Sequence, residues 1–94
     1  MVESLCVMKD GSWERLFDVT YTEMDKLIEF YCLSEVDNDF PDERNFTRVS
    51  DESLDNAIRD IYVEERMSKQ LRLDLMLIVY RLRAWTEEGD VLLY

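Results

Sequence analysis

Val2-Glu3-Ser4-Leu5-Cys6-Val7-Met8-Lys9-Asp10-Gly11-Ser12-Trp13-Glu14-Arg15-Leu16-Phe17-Asp18-Val19-Thr20 admits two readings, and the choice between them sets the fold class. As strands, Val2 to Met8 runs out and Trp13 to Val19 returns. Between them Lys9-Asp10-Gly11-Ser12 contains the Asp-Gly pair that tight hairpin turns favour. As a helix, Trp13, Leu16, Phe17, Tyr21, Met24, Leu27, Ile28 and Tyr31 follow helical spacing, and Ser12 offers a cap. Val19-Thr20-Tyr21-Thr22 decides it, because β-branched and aromatic residues lose side-chain freedom in a helix. The expected fold is therefore α+β, an N-terminal β-hairpin followed by about three helices. An all-α helical bundle is the alternative.

Downstream the helices are marked by caps and stripes. Thr20-Tyr21-Thr22-Glu23 is a capping box, and Met24, Leu27, Ile28 and Tyr31 give an apolar stripe, so a helix is predicted from about Thr22 to Ser34. Glu35 to Asn45 carries Pro, Asn and Asp without periodicity and reads as a loop. Ser50, Asp51 and Ser53 offer caps for a helix from about Glu52 to Arg66, with Leu54, Ala57, Ile58, Ile61 and Tyr62 on its buried face. A third helix starts at Ser68, buries Leu71, Leu75, Ile78, Leu82 and Trp85, and ends at Gly89 in the left-handed conformation. Leucine dominates the alternating segment Leu71-Arg72-Leu73-Asp74-Leu75, which favours helix over strand there. Val91-Leu92-Leu93-Tyr94 is apolar throughout and is expected to dock as a strand or against the core.

Composition bounds what such a chain can do. Its 94 residues read as one domain, 1–94, and an apolar share of 47% is too high for a disordered acidic tail. The longest run without a charge, Leu75 to Tyr80, is six residues, far short of the roughly 20 a spanning helix needs. The first residues lack a basic segment followed by an apolar one, so no secretory signal is read and a cytoplasmic location is expected. Cys6 and Cys32 match no metal spacing and are expected to be buried thiols.

The chain contains no histidine, no nucleophile motif and no glycine-rich phosphate loop. Asp37-Asn38-Asp39 opens like a calcium loop, but Phe40-Pro41-Asp42 follows where the turn glycine belongs, so a solvated turn is read instead. No catalytic residue, cofactor or metal is assigned, and the chain is expected not to be an enzyme.

Charge is the informative number. Twenty-two acids against eleven bases leave −11, which opposes direct nucleic-acid binding and anionic membranes and favours a basic protein partner. The surplus is concentrated. Glu35, Asp37, Asp39, Asp42, Glu43, Asp51, Glu52, Asp55, Asp60, Glu64 and Glu65 face Arg44, Arg48 and Arg59, a local −8. From Arg66 to Arg83 the sign reverses to +4, with Arg66, Lys69, Arg72, Arg81 and Arg83 against Asp74. This basic segment can pack beside the acidic one and partly neutralise it, with Arg72 and Arg81 placed to do so. It cannot cancel the whole surplus. The repulsion in such a patch is on the order of 2–3 kcal/mol, a large share of a small domain's stability.

The expected partner-binding residues are Asp37, Asp39, Asp42 and Glu43 in the loop and Asp51, Glu52, Asp55, Asp60 and Glu64 on the following helix. Asp51/Asp55 and Asp60/Glu64 are four apart, which sets carboxylates about 6 Å from one another, close to the spacing of successive phosphates on a nucleic-acid strand. In this style the sequence resembles the small acidic DNA mimics of phages and plasmids: antirestriction proteins of the Ocr and ArdA class and several anti-CRISPR inhibitors. Local echoes of Ocr-type proteins lie in Leu16-Phe17-Asp18 and in Ser50 to Ile58, while the basic run from Arg66 departs from the more uniformly acidic pattern. The resemblance implies a non-enzymatic inhibitor that occupies a basic, nucleic-acid-binding surface of another protein. The alternative is an adaptor or regulatory subunit that holds a protein through an apolar helix face. Homodimerisation through the stripe from Leu71 to Trp85 is compatible with either.

Overall fold

The structure, a computed structural model, describes residues 2–30 and 46–93. The expected loop from Glu35 to Asn45 and residues 31–34 lie outside the described residues, as does Cys32; the first helix, expected to run to Ser34, already ends at Glu29 with Phe30 as its cap. Within them the chain is α+β. Strands β1 (Val2–Lys9) and β2 (Ser12–Thr20) form the hairpin, and helix α1 (Tyr21–Glu29) follows. Next come β3 (Phe46–Arg48), α2 (Asp51–Tyr62), α3 (Lys69–Trp85) and β4 (Val91–Leu93). The sheet is antiparallel in the order β2-β1-β4-β3. Among the described residues no helix is long and apolar enough to cross a membrane.

The hairpin turn is built as the Asp-Gly pair predicts. Asp10 and Gly11 both take positive φ, 51° and 82°, the combination that matches the twist of two paired strands. The pairing then slips once: Leu5 faces Phe17 but Cys6 faces Arg15, so Leu16 is the extra residue of a β-bulge. The bulge lets two adjacent side chains, Leu16 and Phe17, both pack against the core, where a regular strand would send one of them to the opposite face. Adjacent apolar residues sharing one side are what gave this strand its helical spacing.

Alternation in the sheet separates two apolar layers. Leu5, Val7, Val19 and Leu92 join Met24 and Leu27 of α1, Leu54, Ala57 and Ile61 of α2, and Leu75, Ile78, Val79 and Leu82 of α3 in one core. Val91 and Leu93, pointing the other way, form a small second cluster with Cys6 and Met8. Cys6 is thus half-buried rather than fully buried.

Each of the three helices starts at a cap residue named from the sequence. Thr20 Oγ1 accepts the Glu23 amide at 3.1 Å while Glu23 Oε1 accepts the Thr20 amide at 2.8 Å. Ser50 and Ser68 accept the amides of Ser53 and Leu71, at 3.3 and 3.2 Å. The helix ends needed correction. The second helix stops at Tyr62, not Arg66, because Glu64 turns its carboxylate onto the Arg66 amide at 2.9 Å and breaks the ladder. Gly89 has φ 88° but lies beyond α3, in a turn closed by the Asp90 amide donating to the Glu87 carbonyl at 3.0 Å. Tyr62 and Trp85, the last members of the two apolar stripes, are 68% and 52% exposed. Each ends its helix, where the buried stripe has already rotated away.

The core reading yields a direct check. Leu75→Ala and Ile61→Ala, both at fully buried sites, should each cost about 2–4 kcal/mol in denaturant melts. Leu73→Ala, on the outward side of the same helix, should cost less than about 1 kcal/mol.

Candidate functional site

The acidic reading converges on the first turn of α2. Asp51 and Asp55 share one helix face, as their spacing requires, and both face Arg83 of α3. The Arg83 Nη1–Asp51 Oδ1 contact is 3.3 Å, an ion pair rather than a directed hydrogen bond. Arg83 Nε donates to Asp55 Oδ1, also at 3.3 Å. Glu88, in the turn after α3, accepts the Asp51 amide, which places a third carboxylate at the helix N-terminus. Glu52 and Glu87 are exposed beside them. The unpaired amide protons of a helix N-terminus carry partial positive charge, which lowers the cost of gathering carboxylates there.

The backbone brings these groups together through the sheet. Val49 donates to the Asp90 carbonyl at 2.7 Å and Gly89 donates to the Val49 carbonyl at 2.8 Å, extending the β3–β4 ladder to the residue before the Ser50 cap. The Asp90 side chain fixes the turn from inside, accepting the Glu87 amide at 2.8 Å and Lys9 Nζ at 2.7 Å. Burial alone would raise the Asp90 carboxyl. The Lys9 hydrogen bond, the Glu87 amide and the Lys9 charge outweigh it and hold the group below the usual carboxylate range.

The second predicted pair is not formed. Asp60 is exposed on α2, but Glu64 falls past the helix end and pairs with Arg66, Nη2 to Oε2 at 2.7 Å and Nε to Oε1 at 2.8 Å. Those side-chain bonds, with the Arg66 amide, hold the Glu64 carboxyl down to about 2. Asp37, Asp39, Asp42 and Glu43 lie outside the described residues. Of the nine expected positions the structure thus brings Asp51 and Asp55 together on Arg83, leaves Glu52 and Asp60 exposed on the helix, and pairs Glu64 with Arg66.

The neutralising bases also differ from expectation. Arg72 donates to the Tyr62 carbonyl at 3.1 Å, closing the end of α2. Arg81 lies over the rings of Phe17 and Trp85, 5.9 and 6.0 Å from their centroids, and those rings meet edge to face at 5.6 Å. Arg66 and Arg83 are the residues that pair with acids. Glu87 and Glu88 were missed. Their turn was legible around Gly89, but its place beside α2 depends on the three-residue strand β3, which no periodicity announced.

Comparison with protein families, with curated proteins and with solved structures finds no match to this chain. Among the described residues, no group of three or more cysteine, aspartate or glutamate side chains is arranged to hold a metal ion. The arrangement is a carboxylate array on a rigid helix end, suited to attracting cationic groups from solvent.

Two tests follow from these contacts. Arg83→Gln should lower the melting temperature more at ~20 mM than at ~500 mM salt, because it leaves Asp51 and Asp55 facing each other and salt screens that repulsion; an equal loss at both would mean Arg83 acts by packing. For Asp90 the depressed folded-state value means its contribution is present above the ordinary carboxyl range near ~4 and is lost as pH falls through the lower folded value. Asp90→Asn should therefore melt below the parent at neutral pH, and the gap should narrow as the pH falls below the ordinary carboxyl range.

Proposed function

We propose that this chain is a non-enzymatic inhibitor that binds a basic, nucleic-acid-binding surface of another protein, presenting its acidic helix end where a nucleic-acid backbone would lie. The observation supporting this is the pairing of Asp51 and Asp55 with one arginine, Arg83, and the Glu88 carboxylate on the Asp51 amide, with Glu52 and Glu87 exposed next to them in sequence, in a chain of net charge −11. Arg83 takes up part of the charge of Asp51 and Asp55 and fixes where the carboxylates stand. Glu52 and Glu87 are exposed to a partner's cations, although the charge of Glu87 also acts on Lys9. Rigid, pre-placed charge of one sign attracts the opposite sign across solvent and speeds encounter.

A second reading, the adaptor, is favoured by a separate observation. Tyr62 and Val63, 68% and 67% exposed, line an open groove of about 410 Å³ with Leu73, Met76, Glu65, Lys69 and Arg72. An apolar helix of a partner could lie there, and its binding would resist salt.

The inhibitor reading is tested by capturing nucleic-acid-binding proteins from a cell lysate on the immobilised chain. Bound protein should elute in steps of rising salt and be displaced by duplex DNA. Glu52→Lys with Glu87→Lys should weaken capture at least about tenfold, while Glu14→Lys with Asp25→Lys, the same change in net charge elsewhere, should leave it within about twofold. Equal effects of the two pairs would reduce the acids to a solubilising surface. Capture that survives high salt and is indifferent to DNA would favour the adaptor.

A further inference from the structure

Helix α3 is apolar on two opposite sides. Leu75, Ile78, Val79 and Leu82 are buried in the core. On the outward side Leu73, Leu77 and Tyr80 are 51%, 50% and 53% exposed, and Ala84 continues their line. The spacing 73, 77, 80, 84 alternates four and three, the seam along which two helices pack knobs into holes. This is a different stripe from the one running through Leu71, Leu75, Ile78, Leu82 and Trp85, whose Leu75, Ile78 and Leu82 belong to the core.

We infer that this outward seam is the binding site for the α3 of a second copy of the chain, packed antiparallel about a two-fold axis between Leu77 and Tyr80. Charge fixes both occupant and direction. The start of α3 carries Lys69 and Arg72, while its end carries Arg81 and Arg83 but adjoins four carboxylates, Asp51, Asp55, Glu87 and Glu88, which outnumber them. Antiparallel packing sets the basic end of each copy against the acidic end of the other, twice over. Parallel packing would bring the two acidic clusters together at one end, and like charges so placed disfavour it.

The layers fit as well. Antiparallel alignment about this axis sets Leu77 against Tyr80 and Leu73 against Ala84, so a larger side chain meets a smaller one in the outer layers. The flanking positions then bring Asp74 of one copy toward Arg81 of the other. In the single chain Asp74 accepts from Gln70 at 2.9 Å and Arg81 rests on aromatic faces, which leaves both charges at the edge of the seam. The site is self-complementary, as a two-fold interface must be.

Sedimentation equilibrium over a concentration series tests this. The parent should show a reversible monomer–dimer equilibrium. Leu77→Glu and, independently, Tyr80→Lys should weaken it about tenfold or more while leaving the circular dichroism spectrum of the monomer unchanged. Asp74→Arg and Arg81→Asp should each weaken it, and the double variant should restore it, because only the antiparallel alignment places these two residues together. A parent that stays monomeric at high concentration overturns the inference, as does a dimer indifferent to both seam variants. A monomeric parent whose capture of another protein is abolished by Leu77→Glu would assign the seam to that protein instead. A dimer lost in the seam variants but not rescued by the charge swap would overturn the antiparallel arrangement.

Discussion

Three segments far apart in the chain meet at Asp90, and the tie they make there holds the helices and the sheet in register. Its carboxylate takes Lys9 from the end of β1 and the Glu87 amide from the turn after α3, while its carbonyl takes the Val49 amide from between β3 and α2. A carboxylate so placed cannot be replaced by an apolar group without leaving an amide and an ammonium unpartnered. Because β4 is only three residues long, its own ladder is weak, and the side-chain tie fixes where it enters between β1 and β3. Everything about the acidic face depends on that entry, since it sets Glu87 and Glu88 beside the first turn of α2.

The fold was legible where chemistry is local. Asp10-Gly11 specifies a turn by backbone preference, and Thr20, Ser50 and Ser68 start their helices by accepting the amide three residues on. The competing signal was periodicity in β2, where one bulge residue makes a strand look helical by sending Leu16 and Phe17 to the same side. β3 was illegible for a different reason. Three residues, Phe46-Thr47-Arg48, cannot show a period, and they become a strand only because Leu92 and its neighbours arrive from the far end of the sequence.

The candidate site was legible to the same limit. Spacing put Asp51 and Asp55 on one face correctly, because that is a property of a single helix. It failed for Glu64, which lies past the end of α2 at Tyr62 and accepts from Arg66 two residues ahead, where the regular backbone that the spacing assumed is gone. Arg83 stands 28 residues from Asp55, and its role follows from how α2 and α3 pack, which no local pattern encodes. The basic run therefore divides its work. One arginine pairs with a turn, one closes a helix end, one rests on aromatic rings and one organises the acidic face.

That division explains how the chain carries so much negative charge and still folds. Some acids sit where local fields favour them, Glu23 in the first turn of α1 and Asp51 and Glu52 in the first turn of α2, with Lys26, Arg59 and Arg83 in the last turns of the three helices; Glu29 and Asp60 lie at the opposite ends. Each favoured placement sets a charge against the helix end of opposite sign, worth a few tenths to about 1 kcal/mol. Local terms of this kind offset the repulsion between neighbouring acids without removing their field at a distance, because the helix-end interaction fades within a turn while the net charge does not. A surface can then be strongly negative to an approaching partner and nearly neutral in its effect on folding. Asp51 and Asp55, held by Arg83, and Glu88, held by the Asp51 amide, are charges whose arrangement is set during folding, so ordering them costs no further entropy.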